Sequence, residues 1–206
     1  MNRDTLPPAY AWHFVGATLR DGAAIPADGK WLEFKGPLVM CESGLHFSRK
    51  PHQALEYAPD ATLCLVEVCG KIIEPAGDDK GVCSRRRIVA RMDATELLRY
   101  FARMQALSVL DLWDTEPPEV VCDYLMTGDA RDAGRAAAWG AARAAAWGAA
   151  RAAAWDAARD AASDAAWDAA RAAAWGAAWD AAWDAFDELV YESFEGPIAA
   201  LLGRYE

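Results

Sequence analysis

From Arg135 to Phe186 the chain repeats a four-residue unit thirteen times without interruption. The first position of each unit is Trp or Arg, with Ser163 the one exception. The second is Gly, Asp or Ala, and the third and fourth are Ala until Phe186 closes the run. Alanine is the strongest helix former, and no Pro lies between Pro118 and Pro197. The pattern therefore predicts a helix over about 131–191, on the order of 90 Å long if unbroken. An α-helix turns about 100° per residue, so a four-residue step overshoots one turn by about 40°. A ridge with that period winds around the helix instead of holding one face.

Seven of the ten Trp ride on this ridge: Trp139, Trp147, Trp155, Trp167, Trp175, Trp179 and Trp183. No flat surface covers them all, whereas a wrapping partner, such as a second copy of the helix, does. The Ala ridges allow close backbone approach, and ridges at i±4 interlock between helices. In the first half Arg143 and Arg151 alternate with Trp at i, i+4, which sets guanidinium beside indole. Such stacking contributes about 0.5–1 kcal/mol per exposed pair. The expected role of these residues is self-association, giving a homo-oligomer, or a grip on a protein partner. The bland alternative is a low-complexity tail grown by repeat slippage.

Ala buries little area, so an ordinary core must come from the segment before the repeat. The sequence predicts an α+β protein in three parts: a small mixed-sheet globular domain over 1–128, the Ala/Trp-rich repeat helix over 129–192, and a short C-terminal helix within 193–206, expected at Ile198 to Gly203. The net charge of −10 disfavours direct nucleic-acid binding; it either serves solubility or suits a partner with a basic surface. Five Cys, an odd number without a C-x-x-C pair, read as buried thiols in a reduced, cytoplasmic setting. MNRDTLPPAY shows no apolar leader. Arg or Asp breaks every long apolar stretch, so no membrane span is expected.

Within the first segment, Tyr10 to Val15, Trp31 to Phe34, Leu38 to Met40 and Gly44 to Phe47 have the composition of short strands. Arg20-Asp21-Gly22 marks a turn, and Pro51 to Tyr57 a short helix. Thr62 to Cys69 is the strongest strand. Leu63, Leu65 and Glu67 would face one way and Cys64, Val66 and Val68 the other, and nearly all are apolar, which predicts a central strand covered on both sides. Val82 to Arg91 fits a further strand. Asp93 opens a helix, and a shorter one follows Pro117-Pro118 and stops at Gly128.

Few constellations carry chemistry. Cys41, His46 and His52, with His13 as a fourth, do not have a standard zinc spacing, and no metal is expected. No nucleophile motif, P-loop or dinucleotide fingerprint is present, so no catalytic residue is assigned. Arg85-Arg86-Arg87 lies in a strand, which puts Arg85 and Arg87 on the face opposite Arg86. Guanidiniums in such a place either hold a phosphate or a carboxylate or keep an edge strand solvated and block its pairing. The candidate ligand-binding residues are His13, His46, Arg85 and Arg86.

The segments YAWHFVGATLRDG (10–22), CESGLH-x-S (41–48), ALEYAP (54–59), RRRI (85–88) and DATELLR-x-FAR (93–103) resemble an uncharacterised family of bacterial and phage proteins. Its members join such a domain to Ala/Trp/Arg/Asp tetrapeptide repeats. The resemblance implies a phage- or prophage-associated protein without an established activity. An inhibitor of a host defence complex would fit the acidity. A second resemblance is to ADP-ribosyltransferases of the poly-ADP-ribose polymerase type. It rests on His13, on Gly44-Leu45-His46-Phe47-Ser48, on Tyr57, and on the run from Leu63 to Gly70. His46 stands where that family has Tyr. Ser84-Arg85-Arg86 occupies the strand where it has its catalytic Glu. This resemblance implies a related fold with NAD as a possible ligand, without the carboxylate that transfer requires.

Overall fold

The computed structural model describes residues 6–108, 110, 117–129 and 164–203, with side chains left out over 164–178. Residues Met1–Leu98 and Trp183–Glu206 form one compact unit, and Arg99–Ala182 form another.

The first unit is built on one five-stranded sheet. Its strands are β1 (Tyr10–Val15), β2 (Leu32–Glu33), β3 (Leu45–Phe47), β4 (Thr62–Ile73) and β5 (Gly81–Asp93). They run in the order β1-β4-β5-β2, and β3 also pairs with β5. Among the described residues every pairing is antiparallel, which corrects the expectation of a mixed sheet. The two long strands are joined by the short loop 74–80, and a short link brings neighbouring strands back antiparallel, since a parallel return needs a crossover.

β4 is internal, as its composition predicts, and Leu63, Cys64, Leu65 and Val66 are all fully buried. It runs on past Cys69 to Ile73 through a bulge. Gly70 takes up that bend at φ +78°, with the Ser84 Oγ only 2.3 Å from where its Cβ would stand. The register sets two faces. His13 pairs with Cys64, Val66 with Ile88, and Val68 with Arg86, so these share one face. Trp12 pairs with Leu65 and Phe14 with Leu63, while Glu67 pairs with Arg87 and Cys69 with Arg85, all on the other. On the first face Ala11, Val15, Cys64, Val66, Val68 and Ile88 join Phe47 and Cys83 in an apolar cluster.

The second face is covered from far along the chain. Helix α4 (Asp164–Ser193) and helix α5 (Glu195–Leu202) meet at Phe194. Phe186, Val190 and Phe194 are buried. The Trp12 ring meets Tyr191 and Phe194 edge-on, at centroid distances of 5.5 and 5.1 Å. Helix α1 (Pro51–Leu55) adds a polar clamp. The His52 backbone N–H donates to Asp187 Oδ1 at 2.8 Å, and its Nδ1 lies 2.8 Å from Asp187 Oδ2. The His52 ring stacks on Trp183 at 5.5 Å. The Asp187 carboxyl is held above the ordinary value, because burial outweighs the bonds from His52.

Local differences from the sequence reading have simple causes. Leu38 to Met40 forms no strand, because Ser43 N–H donates to the Val39 carbonyl at 2.9 Å and closes a tight turn. Helix α5 starts at Glu195, not Ile198, and takes Gly196 and Pro197 into its first turn, where a missing N–H costs nothing. Helix α2 (Thr95–Ser108) opens as expected, with Asp93 Oδ1 accepting from the Thr95 N–H at 2.9 Å. In the second unit, helix α3 (Glu119–Thr127) stops at Gly128, whose φ of 84° is left-handed.

Of the predicted repeat helix, Asp164–Ser193 is helical. Trp139, Trp147, Trp155, Arg143 and Arg151 lie outside the described residues. Among the described residues no helix is long and apolar enough to cross a membrane.

Candidate functional site

Beside the sheet a cleft of about 910 Å³ opens, bounded by β1, β3, β5, the loop after β1, the 38–44 turn and the end of α1. His13, His46 and Arg86 all line it. Each arrives by a different route. His13 is the partly exposed member of β1. His46 is the middle residue of β3, positioned by its pairing with Val82. Arg86 is placed opposite Val68 by the β4–β5 register.

Arg86 is the least ordinary of the three. The residue is 6% exposed, and its Nη1 donates to the His46 carbonyl. Among the described residues no carboxylate lies within ion-pair distance of it. Burial pulls its pKa down to about 10, so it still carries its charge at neutral pH. Buried charges are ordinarily paired, because desolvation is costly.

The imidazoles answer to that charge. Burial, then Arg86, then His46 hold His13 well below the ordinary histidine value. Burial lowers His46 as well, helped by Arg86, Lys80 and Arg20. The Cys41 N–H donates to His46 Nε2 at 3.1 Å. An accepting Nε2 means a neutral ring with its proton on Nδ1. Cys41 sits at φ 65°, and Arg20 Nη1 holds its carbonyl at 3.4 Å.

Tyr57 stands at the rim, about half exposed. Its hydroxyl donates to Asp79 Oδ2 at 2.5 Å, and Lys80 Nζ lies 3.9 Å from its ring centroid. The bond to Asp79 raises the Tyr57 pKa and lowers that of Asp79. Cys64 and Cys83 belong to the apolar cluster of the sheet, where burial pushes their thiols up to about 11. Together the groups that line the cleft give it one buried cation, two neutral imidazoles and an aromatic edge.

Arg85 does not join it. It lies on the opposite face, with Nε 3.0 Å from Glu33 Oε1 and its guanidinium 4.8 Å from the Trp31 ring. Arg87 approaches the same ring at 4.8 Å and pairs with Glu67. Strand alternation had separated Arg85 from Arg86, and of the two only Arg86 lines the cleft. His52 is likewise elsewhere, at Asp187, and no group of His, Cys, Asp or Glu among the described residues is placed to hold a metal. Arg20 and Lys80 complete the positive surroundings of His46, although the sequence reading named neither. Both lie in polar turns, which carry no periodic signal. Of the interaction residues, Trp179 is 60% exposed and Trp183 packs on His52 and Phe186.

Residues 10–100 match the model of a family described as a domain of unknown function (DUF7666). This agrees with the expectation of an uncharacterised family, and the matched span ends before the repeat. No curated protein and no solved structure matches the chain.

Proposed function

We propose that the first unit binds a small phosphate-bearing ligand of nucleotide type in the cleft, and does not transfer its parts. The carrying observation is the convergence of His13 and His46 on a buried arginine that lacks a carboxylate partner among the described residues. The resemblance to the ADP-ribosyltransferases supports the same reading, since His13, His46 and Tyr57 line one cleft. The strand expected to supply a catalytic Glu carries Ser84-Arg85-Arg86 instead. Calorimetry with NAD and with ADP tests the proposal. Binding should weaken at least about tenfold in Arg86→Met, the equivalent of about 1.4 kcal/mol. Absence of heat with both nucleotides sinks it.

A second reading concerns the repeat. The exposed indole of Trp179 favours an interaction protein that self-associates or holds a protein partner through its Trp ridge; the family resemblance points to a phage or prophage origin, and the odd number of cysteines to the cytoplasm. A host defence complex with a basic surface is a partner that the acidity suits. Light scattering on the parent chain and on a variant with Trp147, Trp155 and Trp179 replaced by Ala checks self-association. A parent oligomer that loses mass in the variant supports it, and equal masses refute it. Capture of a basic host protein by the parent and not by the variant would point to the foreign partner.

A further inference from the structure

We infer that the floor of the cleft is an oxyanion site built on Arg86, and that a dianion entering it takes up one proton, held by the His13–His46 pair. This rests on the ligand-binding reading and goes beyond it, because it specifies the charge of the group bound at the floor and what accompanies it.

The geometry comes first. Arg86 lines the cleft, is 6% exposed, and spends one nitrogen on the His46 carbonyl. Among the described residues no carboxylate neutralises it. A guanidinium in that state is matched by a flat or tetrahedral oxyanion that brings the missing charge. Other carboxylates of the cleft are committed or stand on its walls. Glu33 pairs with Arg85, Asp21 Oδ1 accepts from the Ala23 N–H at 3.0 Å, and Glu42 belongs to the turn beside Cys41. The charges acting on the two rings are cationic: Arg86 on both, with Lys80 and Arg20 on His46.

The proton follows from charge. Without a ligand, burial and Arg86 keep both rings neutral. A monoanion at Arg86 cancels that field and leaves little else. A dianion leaves one negative charge beside two neutral imidazoles, and a close opposite charge favours the imidazolium. The proton comes from solvent and no covalent bond changes. His46 is one of the groups that act on His13, so the proton is assigned to the pair and not to one ring. His13 has no hydrogen-bonded ring nitrogen among the described residues, whereas His46 Nε2 is engaged by Cys41.

Sulfate and methanesulfonate separate the charges, since both are tetrahedral oxyanions, neither titrates near neutral pH, and they differ by one charge. Calorimetry of the unaltered chain in buffers of different ionisation enthalpy reads the protons taken up. Sulfate is expected to take up about one, and to bind up to about tenfold tighter per unit fall in pH. Methanesulfonate should take up none. The His13→Gln/His46→Gln double variant should bind sulfate more weakly, take up no proton, and lose the pH dependence of binding. Proton resonances of the histidine rings in the unaltered chain give the same answer without a variant, by moving to imidazolium positions as sulfate is added. The inference is overturned by sulfate heats that are equal in all buffers, by rings that stay neutral, or by no sulfate binding. If NAD or ADP still binds in that last case, the ligand-binding reading stands and the floor site alone falls.

Discussion

At the scale of single residues, the pH response of this fold is set by groups that burial has moved. His13 and His46 are lowered from 6.5, first by burial and then by Arg86. The unfolded chain binds their protons at the ordinary value and the folded chain refuses them. Their contribution is therefore present above about pH 6.5 and lost as pH falls through the folded values. Asp187 has the opposite sign. Its carboxyl is raised from 3.8 by burial, so its contribution is present below that value and fades as pH rises through the folded one. The urea midpoint should then fall as pH drops from about 7 to about 5. His13→Gln should flatten that decline, and a midpoint that holds steady across this range in the parent would show that the imidazoles are not held neutral.

Among the elements, β3 depends on one backbone position. Gly44 has φ +112°, and a Cβ there would come within 2.4 Å of Val82 Cγ2 and 2.8 Å of Leu38 Cδ2. It immediately precedes the strand that carries His46. Gly44→Ala should cost about 1–3 kcal/mol in chemical denaturation and also weaken ligand binding, because His46 is displaced. Full stability together with full binding would mean that the turn relaxes freely. This is also the scale at which sequence patterns read best. The apolar residues on both faces of TLCLVEVC placed β4 inside the sheet, and Asp93 and Gly128 marked the start of α2 and the stop of α3. The Arg85–Arg87 alternation was legible too, but which of its two faces met a cleft was not. Leu38 to Met40 reads as a strand from composition, and only the bond from Ser43 to Val39 turns it into a corner.

At the scale of the molecule, the segment that matches the family model and the compact unit differ. The match covers 10–100, whereas the unit also takes in Trp183–Glu206. Trp12 is fully buried and gains from its edge-on contacts with Tyr191 and Phe194, about 0.5–1.5 kcal/mol each. Burying Phe186, Val190 and Phe194 adds about 1.5–3 kcal/mol apiece. A chain cut to residues 6–100 should therefore bind hydrophobic dye and melt without cooperativity. Adding the peptide 183–203 should restore a cooperative transition with the His52–Asp187 clamp. A fragment that melts as sharply alone as with the peptide would show that the sheet does not need its C-terminal cover.

What the sequence determined by itself is local: which stretches are strands or helices, where Gly and Pro break them, and which residues of a strand share a face. These follow from steric limits on a few neighbouring residues. Tertiary structure alone decided the rest. It chose the antiparallel order, brought His13, His46 and Arg86 to one cleft from three strands, and set His52 against Asp187. Those choices depend on contacts between residues far apart in the chain, where burial and the search for a charge partner act. No local pattern encodes them.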